Sequence, residues 1–139
     1  MPRFKDTFEQ LLARANTVKP RRHPDDVEHR IQCACVQWLR YQYPKYAHNL
    51  FAVPNGGKRD KVTAAKMKAE GAQPGVADLL FLKPNSRYHA LCIEMKTDKG
   101  RQSDTQRKWQ QLIEQDGYKY VIIRSLSEFM KEIEDYLSE

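Results

Sequence analysis

The stretch QPGVADLLFLKPNSRYHALCIEMK, residues 73–96, decides the fold. Two runs within it, VADLLFL and HALCIEM, read as buried sheet. The KPNSR between them supplies the Pro, Asn and Ser of a tight connection, so strands are expected over 76–82 and 89–96. Yet these strands carry Asp78, Glu94 and Lys96. Side chains alternate along a strand, so Glu94 and Lys96 share one face while Ile93 and Met95 take the other. With the turn centred near Ser86, Asp78 falls opposite Glu94; a slip of one residue would place them on opposite faces.

In that register two carboxylates meet beside one amine. Two like charges about 4 Å apart repel by about 1 kcal/mol in water and about 4 kcal/mol at an effective dielectric near 20. One lysine does not balance two buried carboxylates, whereas a divalent cation does. The ligands on offer are oxygens, so the ion would be a hard one such as Mg²⁺ or Mn²⁺. The structural alternative is an Asp/Glu–Lys ion pair at a sheet edge, and spacing alone leaves both open.

Outward from this hairpin the chain alternates helix and strand. Phe4, Phe8, Leu11, Leu12 and Ala15 are spaced for a helix over 4–16, and TVKPRRHPDD reads as a basic linker. Residues 1–24 are therefore expected to form an N-terminal helical arm and linker, and 25–139 the main domain. A helix over 25–43 ends before Pro44; 48–53 reads as a short strand, PNGGKR as a turn, and 61–70 as a helix capped by Gly71. A helix over 103–116, a strand over 118–124 and an amphipathic helix over 127–137 complete an α/β fold, a mixed sheet flanked by helices.

Composition narrows the function classes. The chain has 139 residues, enough for one domain with its own core. No apolar run is long enough to span a bilayer and MPRFKDTFEQ has no apolar leader core, so no membrane role and an intracellular setting are expected. Cys33, Cys35 and Cys92 lack metal or disulfide spacing and read as small buried side chains. His23, His29, His48 and His89 show no ligand spacing, and PNGG lacks the following G-K-[ST] of a nucleotide-phosphate loop, so no nucleotide cofactor is expected. The net charge of +6 favours an anionic partner.

The segment Gly75-Val76-Ala77-Asp78, followed by Glu94-Met95-Lys96, resembles the (D/E)xK nuclease signature. Together with FAVPNGGKR, MKAEGAQPGVADLLFL and CIEMKTDKGRQSDTQRKWQQLIEQDGY it is similar to the VRR-NUC family, the virus-type replication-repair nucleases, in its small stand-alone phage and bacterial form. The resemblance runs over residues 26–137. It implies a restriction-endonuclease-like PD-(D/E)xK core, with a mixed central sheet of about four strands flanked by helices. It implies a metal-dependent endonuclease using Mg²⁺ or Mn²⁺, held by Asp78, Glu94 and the backbone carbonyl of Met95. Lys96 would then orient or help deprotonate the attacking water and stabilise charge on the phosphate. Glu28 and Gln106 match the family's acidic residue before the sheet and its glutamine after it. Ala77 stands where the family's usual proline precedes the aspartate, which pins the backbone less firmly.

Both outlying residues have structural alternatives: Asp25-x-x-Glu28 fits an N-terminal capping pair, and Ser103-Asp104-Thr105-Gln106 a capping box. Basic residues gather around the motifs, and Lys58, Arg59, Lys61, Lys68, Lys99, Arg101 and Arg107 are the expected DNA contacts. Nothing resembles a base-reading module, so shape is the expected target. The resemblance points to a homodimer that resolves four-way (Holliday) junctions in the cytoplasm of a bacterial cell or phage-infected host. The alternatives are a nuclease of flap, mismatched or generic duplex DNA, and a non-catalytic DNA-binding subunit of the same fold.

Overall fold

The computed structural model describes residues 7–16, 24–54 and 60–139. In chain order these form α1 (Phe8–Asn16), α2 (Pro24–Gln42), a 3₁₀ helix (Pro44–Asn49), β1 (Leu50–Ala52), α3 (Lys61–Ala69), β2 (Leu79–Phe81), β3 (Leu91–Met95), α4 (Asp104–Gln115), β4 (Lys119–Ile123) and α5 (Leu126–Ser138). The strands make one mixed sheet in the order β1-β2-β3-β4. The first two pairings are antiparallel and β3–β4 is parallel, with α4 as the crossover.

Strand alternation sorts the sheet into two faces. Leu79, Phe81, Leu91, Ile93, Met95 and Ile123 point to the larger core, where they meet Ile31, Cys35, Trp38 and Leu39 of α2 and Leu126, Phe129, Ile133 and Tyr136 of α5. Trp38 packs edge-on to Phe129, with ring centroids 5.9 Å apart. Ala77, Cys92 and Tyr120 face the other way, under Trp109 and Ile113 of α4. The result is three layers, with α2 and α5 on one side of the sheet and α4 on the other.

Each strand is shorter than its apolar run suggests, for local reasons. Pro44 opens a 3₁₀ helix that takes the residues expected to begin β1, and Asn49 donates its side-chain amide to the Leu82 carbonyl, closing the sheet edge at 2.7 Å. Pro24, a favoured first-turn residue, begins α2, so Asp25 sits inside the helix rather than at its N-cap. Asp60 caps α3, accepting from the Thr63 N–H at 2.6 Å, and Gly71 at φ 107° ends it.

Some features depart from the expected picture. Cys33 is exposed, with Sγ 3.6 Å from His29 Nε2, whereas Cys35 and Cys92 are buried. The helix of the expected N-terminal arm lies against the main core: Leu11 is 6% exposed, and Phe8 and Leu12 pack on the larger cluster. Helix α3 buries no residue, and its Val62 is 80% exposed. No helix among the described residues is long and apolar enough to cross a membrane.

Candidate active site

The site is built at the ends of β2 and β3. Their register pairs Leu79 with Ile93, Leu80 with Cys92 and Phe81 with Leu91, and one further step brings Asp78 level with Glu94. This is the register drawn from a turn centred at Ser86. Regular pairing stops at Leu79 because Asp78 uses its side chain instead: Oδ2 accepts the Met95 N–H at 2.7 Å. The Asp78 carbonyl meanwhile accepts from the Val53 N–H at 2.8 Å, which keeps the residue tied to the β1 side.

The Lys96 N–H reaches across to the Ile123 carbonyl of β4 at 3.0 Å. Peptide groups alternate in direction along a strand, so the Met95 N–H and carbonyl point to the opposite edge, where Asp78 lies. Asp78, Glu94 and the Met95 carbonyl thus belong to one corner of the sheet.

Glu94 is buried, at 2% exposure. Its Oε1 accepts from Gln106 Nε2 at 2.8 Å and lies 3.8 Å from Lys96 Nζ; its Oε2 receives the Tyr120 hydroxyl at 3.4 Å. Burial pushes the Glu94 carboxyl up to about 8, and the Asp78 charge pushes the same way. Lys96 pulls it down, while a hydrogen bond shared with Asp78 and the more distant Glu28 charge add to the rise. The Tyr120 phenol is also raised, chiefly by burial.

Gln106 shows how a cap and a site residue can be one side chain. Its Oε1 accepts the Ser103 N–H at 2.8 Å while its own N–H is capped by Ser103 Oγ at 3.2 Å. With the amide oxygen so engaged, the amide nitrogen is left facing Glu94. Close packing fixes the position of this helix end: a Cβ on Gly75, which has φ 84°, would stand 2.5 Å from the Thr105 carbonyl oxygen. The loop leading to Asp78 therefore lies directly on the first turn of α4.

The other expected residues divide. Glu28 is half-buried on α2, near enough for its charge to raise Glu94. Lys99 and Arg101 are exposed on the loop between β3 and α4. Arg107 is exposed on the first turn of α4, where it pairs with Asp104. Lys61 and Lys68 are exposed at the two ends of α3. Lys58 and Arg59 lie outside the described residues.

Three contributors escaped sequence reasoning. Tyr120 is one residue in an ordinary strand run, and only the parallel β3–β4 pairing sets it on the Glu94 face. Gln102, in the loop before α4, donates to the Gln110 side-chain oxygen at 2.7 Å and acts to lower the Tyr120 phenol against the rise from burial. Arg124 holds the basic loop from below: its Nη1 donates to the carbonyls of Thr97 at 2.5 Å and Gly100 at 2.7 Å. A polar residue at the end of a strand that abuts the Glu-x-Lys strand was the available signal for Arg124; nothing local marked the other two.

A carboxyl held above its unfolded value binds its proton more tightly in the folded chain. Its contribution to stability is therefore present below about 4.5 and is lost as pH rises through about 8. The metal-free protein is expected to melt at falling temperatures across that window. Glu94→Gln, which keeps the shape and removes the charge, is expected to flatten the fall and raise the midpoint at pH 9 by several degrees. Thermal melts in EDTA at graded pH check this.

Against known proteins, the VRR-NUC domain model matches residues 21–126. A solved structure titled VRR_NUC domain protein superposes with a TM-score of 0.70 at 23% identity, covering 80% of this chain and 88% of that one. That likeness shows the fold. No curated protein matches the chain. A sheet corner of two carboxylates, a lysine and a capping glutamine thus lies within a domain matched over most of its length, and the chain belongs to the VRR-NUC family of PD-(D/E)xK-type nucleases.

Proposed function

We propose that the protein is a divalent-metal-dependent endonuclease that hydrolyses DNA phosphodiesters at Asp78, Glu94 and Lys96, and that it acts as a homodimer on four-way junctions. The observation that carries the metal is Glu94, a carboxylate buried beside a second carboxylate and short of positive charge. Among the described residues no group of three or more His, Cys, Asp or Glu side chains gathers as a ready metal cluster. The fit rests instead on two carboxylates and a backbone carbonyl, an all-oxygen set suited to Mg²⁺ or Mn²⁺. Such an ion supplies Lewis acidity toward a phosphoryl oxygen and toward the attacking water.

The chain's own groups divide the remaining work. Asp78 is anchored at Oδ2 by the Met95 N–H and Glu94 at Oε1 by Gln106. Lys96, with its side chain 14% exposed, keeps its amine at the mouth of the site, where it orients the attacking water and meets the phosphate. The N-terminus of α4 adds a favourable field for that anion. Lys99, Arg101 and Arg107 continue the positive surface along the same end of the domain, and α3 carries Lys61 and Lys68 exposed. A helix that buries nothing is suited to lying against a polyanion.

A symmetric dimer would present two such sites to two strands, as paired incision of a junction requires. The test is a labelled four-way junction against linear duplex of the same sequence, with Mg²⁺, Mn²⁺ or EDTA, alongside light scattering. Paired metal-dependent nicks near the crossover by a dimer are expected. Equal cleavage of both substrates by a monomer would remove the junction and dimer claims and leave a general duplex nuclease. Tight binding without cleavage under any metal would leave a DNA-binding subunit.

A further inference from the structure

Glu94 is approached on its second carboxylate oxygen from the neighbouring strand, where the Tyr120 hydroxyl donates to Oε2 at 3.4 Å. The ring carrying that hydroxyl is fixed: Tyr120 is buried with Ala77 and Cys92 and stands edge-on to Trp109, centroids 6.0 Å apart.

Gln106 and Lys96 both address Oε1 of Glu94. A carboxylate restrained at one oxygen still pivots about that contact. A donor on the second oxygen, coming from a different element of the fold, fixes the plane of the group.

We propose that Tyr120 is a positioning residue for Glu94, its hydroxyl holding the carboxylate in the orientation that receives the metal. This rests on the metal-nuclease reading above. Groups that orient ligating carboxylates in this way commonly contribute ten- to a hundredfold in metal affinity. The Tyr120 contact is long, which sets the expected effect at the lower end.

The experiment is calorimetric titration of Mn²⁺ into the wild-type chain, Tyr120→Phe and Tyr120→Leu, with melts of each in EDTA. Tyr120→Phe is expected to bind Mn²⁺ about tenfold more weakly while its metal-free midpoint moves by about 2 °C or less. Tyr120→Leu, which also lacks the hydroxyl, is expected to weaken binding at least as much. Unchanged Mn²⁺ affinity in a folded Tyr120→Phe, or in Tyr120→Leu if the former does not fold, overturns the inference and leaves the nuclease reading standing. Absence of Mn²⁺ binding by the wild-type chain overturns the metal reading, and this inference with it.

Discussion

Lys96→Ala is expected to lower the single-turnover cleavage rate about a thousandfold, or about 4 kcal/mol in barrier height, while DNA binding in EDTA stays within about threefold of wild type. Two separate losses combine. The amine proposed to meet the phosphate is gone, and with it the positive charge that draws Glu94 down against burial and Asp78. Glu94 then holds its proton more tightly, so Mn²⁺ binding weakens and the loss is steepest at low pH. Lys96→Arg is not expected to rescue: a planar guanidinium presents a rigid fork of donors in place of the compact ammonium 3.8 Å from Glu94 Oε1. Cleavage by Lys96→Ala within tenfold of wild type would move the chemistry elsewhere on the molecule.

Much of this corner was legible in the sequence because strand periodicity and turn chemistry are local. KPNSR set the length of the connection, and length set the register that puts Asp78 level with Glu94. Ser103 and Gln106 were legible as a capping box for the same reason. The strand ends were not, because Asp78 trades ladder pairing for a side-chain bond, and that choice depends on Met95, seventeen residues away. Tyr120 was hidden for a similar reason: its place beside Glu94 exists only once β4 lies parallel to β3 with α4 folded over both.

The arm and the C-terminal helix make the same point about boundaries. The family match ends at residue 126, where α5 begins, yet Phe129, Ile133 and Tyr136 of that helix are core residues with essentially no exposure. Leu11 of α1, before the matched segment, is buried as well. A family resemblance marks the chemistry-bearing blocks, whereas the core takes in whatever apolar faces reach it. A helical spacing such as Phe8, Leu11 and Leu12 predicts that a face will be buried, not which surface will bury it.

The second large effect is expected at a residue with no side chain. Gly75→Ala is expected to destabilise the protein by about 2–3 kcal/mol and to remove most cleavage activity, although Gly75 touches neither metal nor substrate in the proposed chemistry. Its φ of 84° strains any L residue, and the added Cβ would stand 2.5 Å from the Thr105 oxygen and 3.2 Å from the Gln106 nitrogen, both backbone atoms. Backbone cannot swing aside as a side chain can, so either the loop lifts or the first turn of α4 moves out. The first displaces Asp78, three residues on; the second pulls the Gln106 amide from Glu94 Oε1, now 2.8 Å away. Both open the site along the seam that Gly75 closes. Chemical denaturation measures the stability term. To separate it from the geometric one, cleavage is assayed well below the variant's melting point, where the chain is folded. A variant folded there and cutting at the wild-type rate would show that the contact of Gly75 with α4 does not set the geometry of the site.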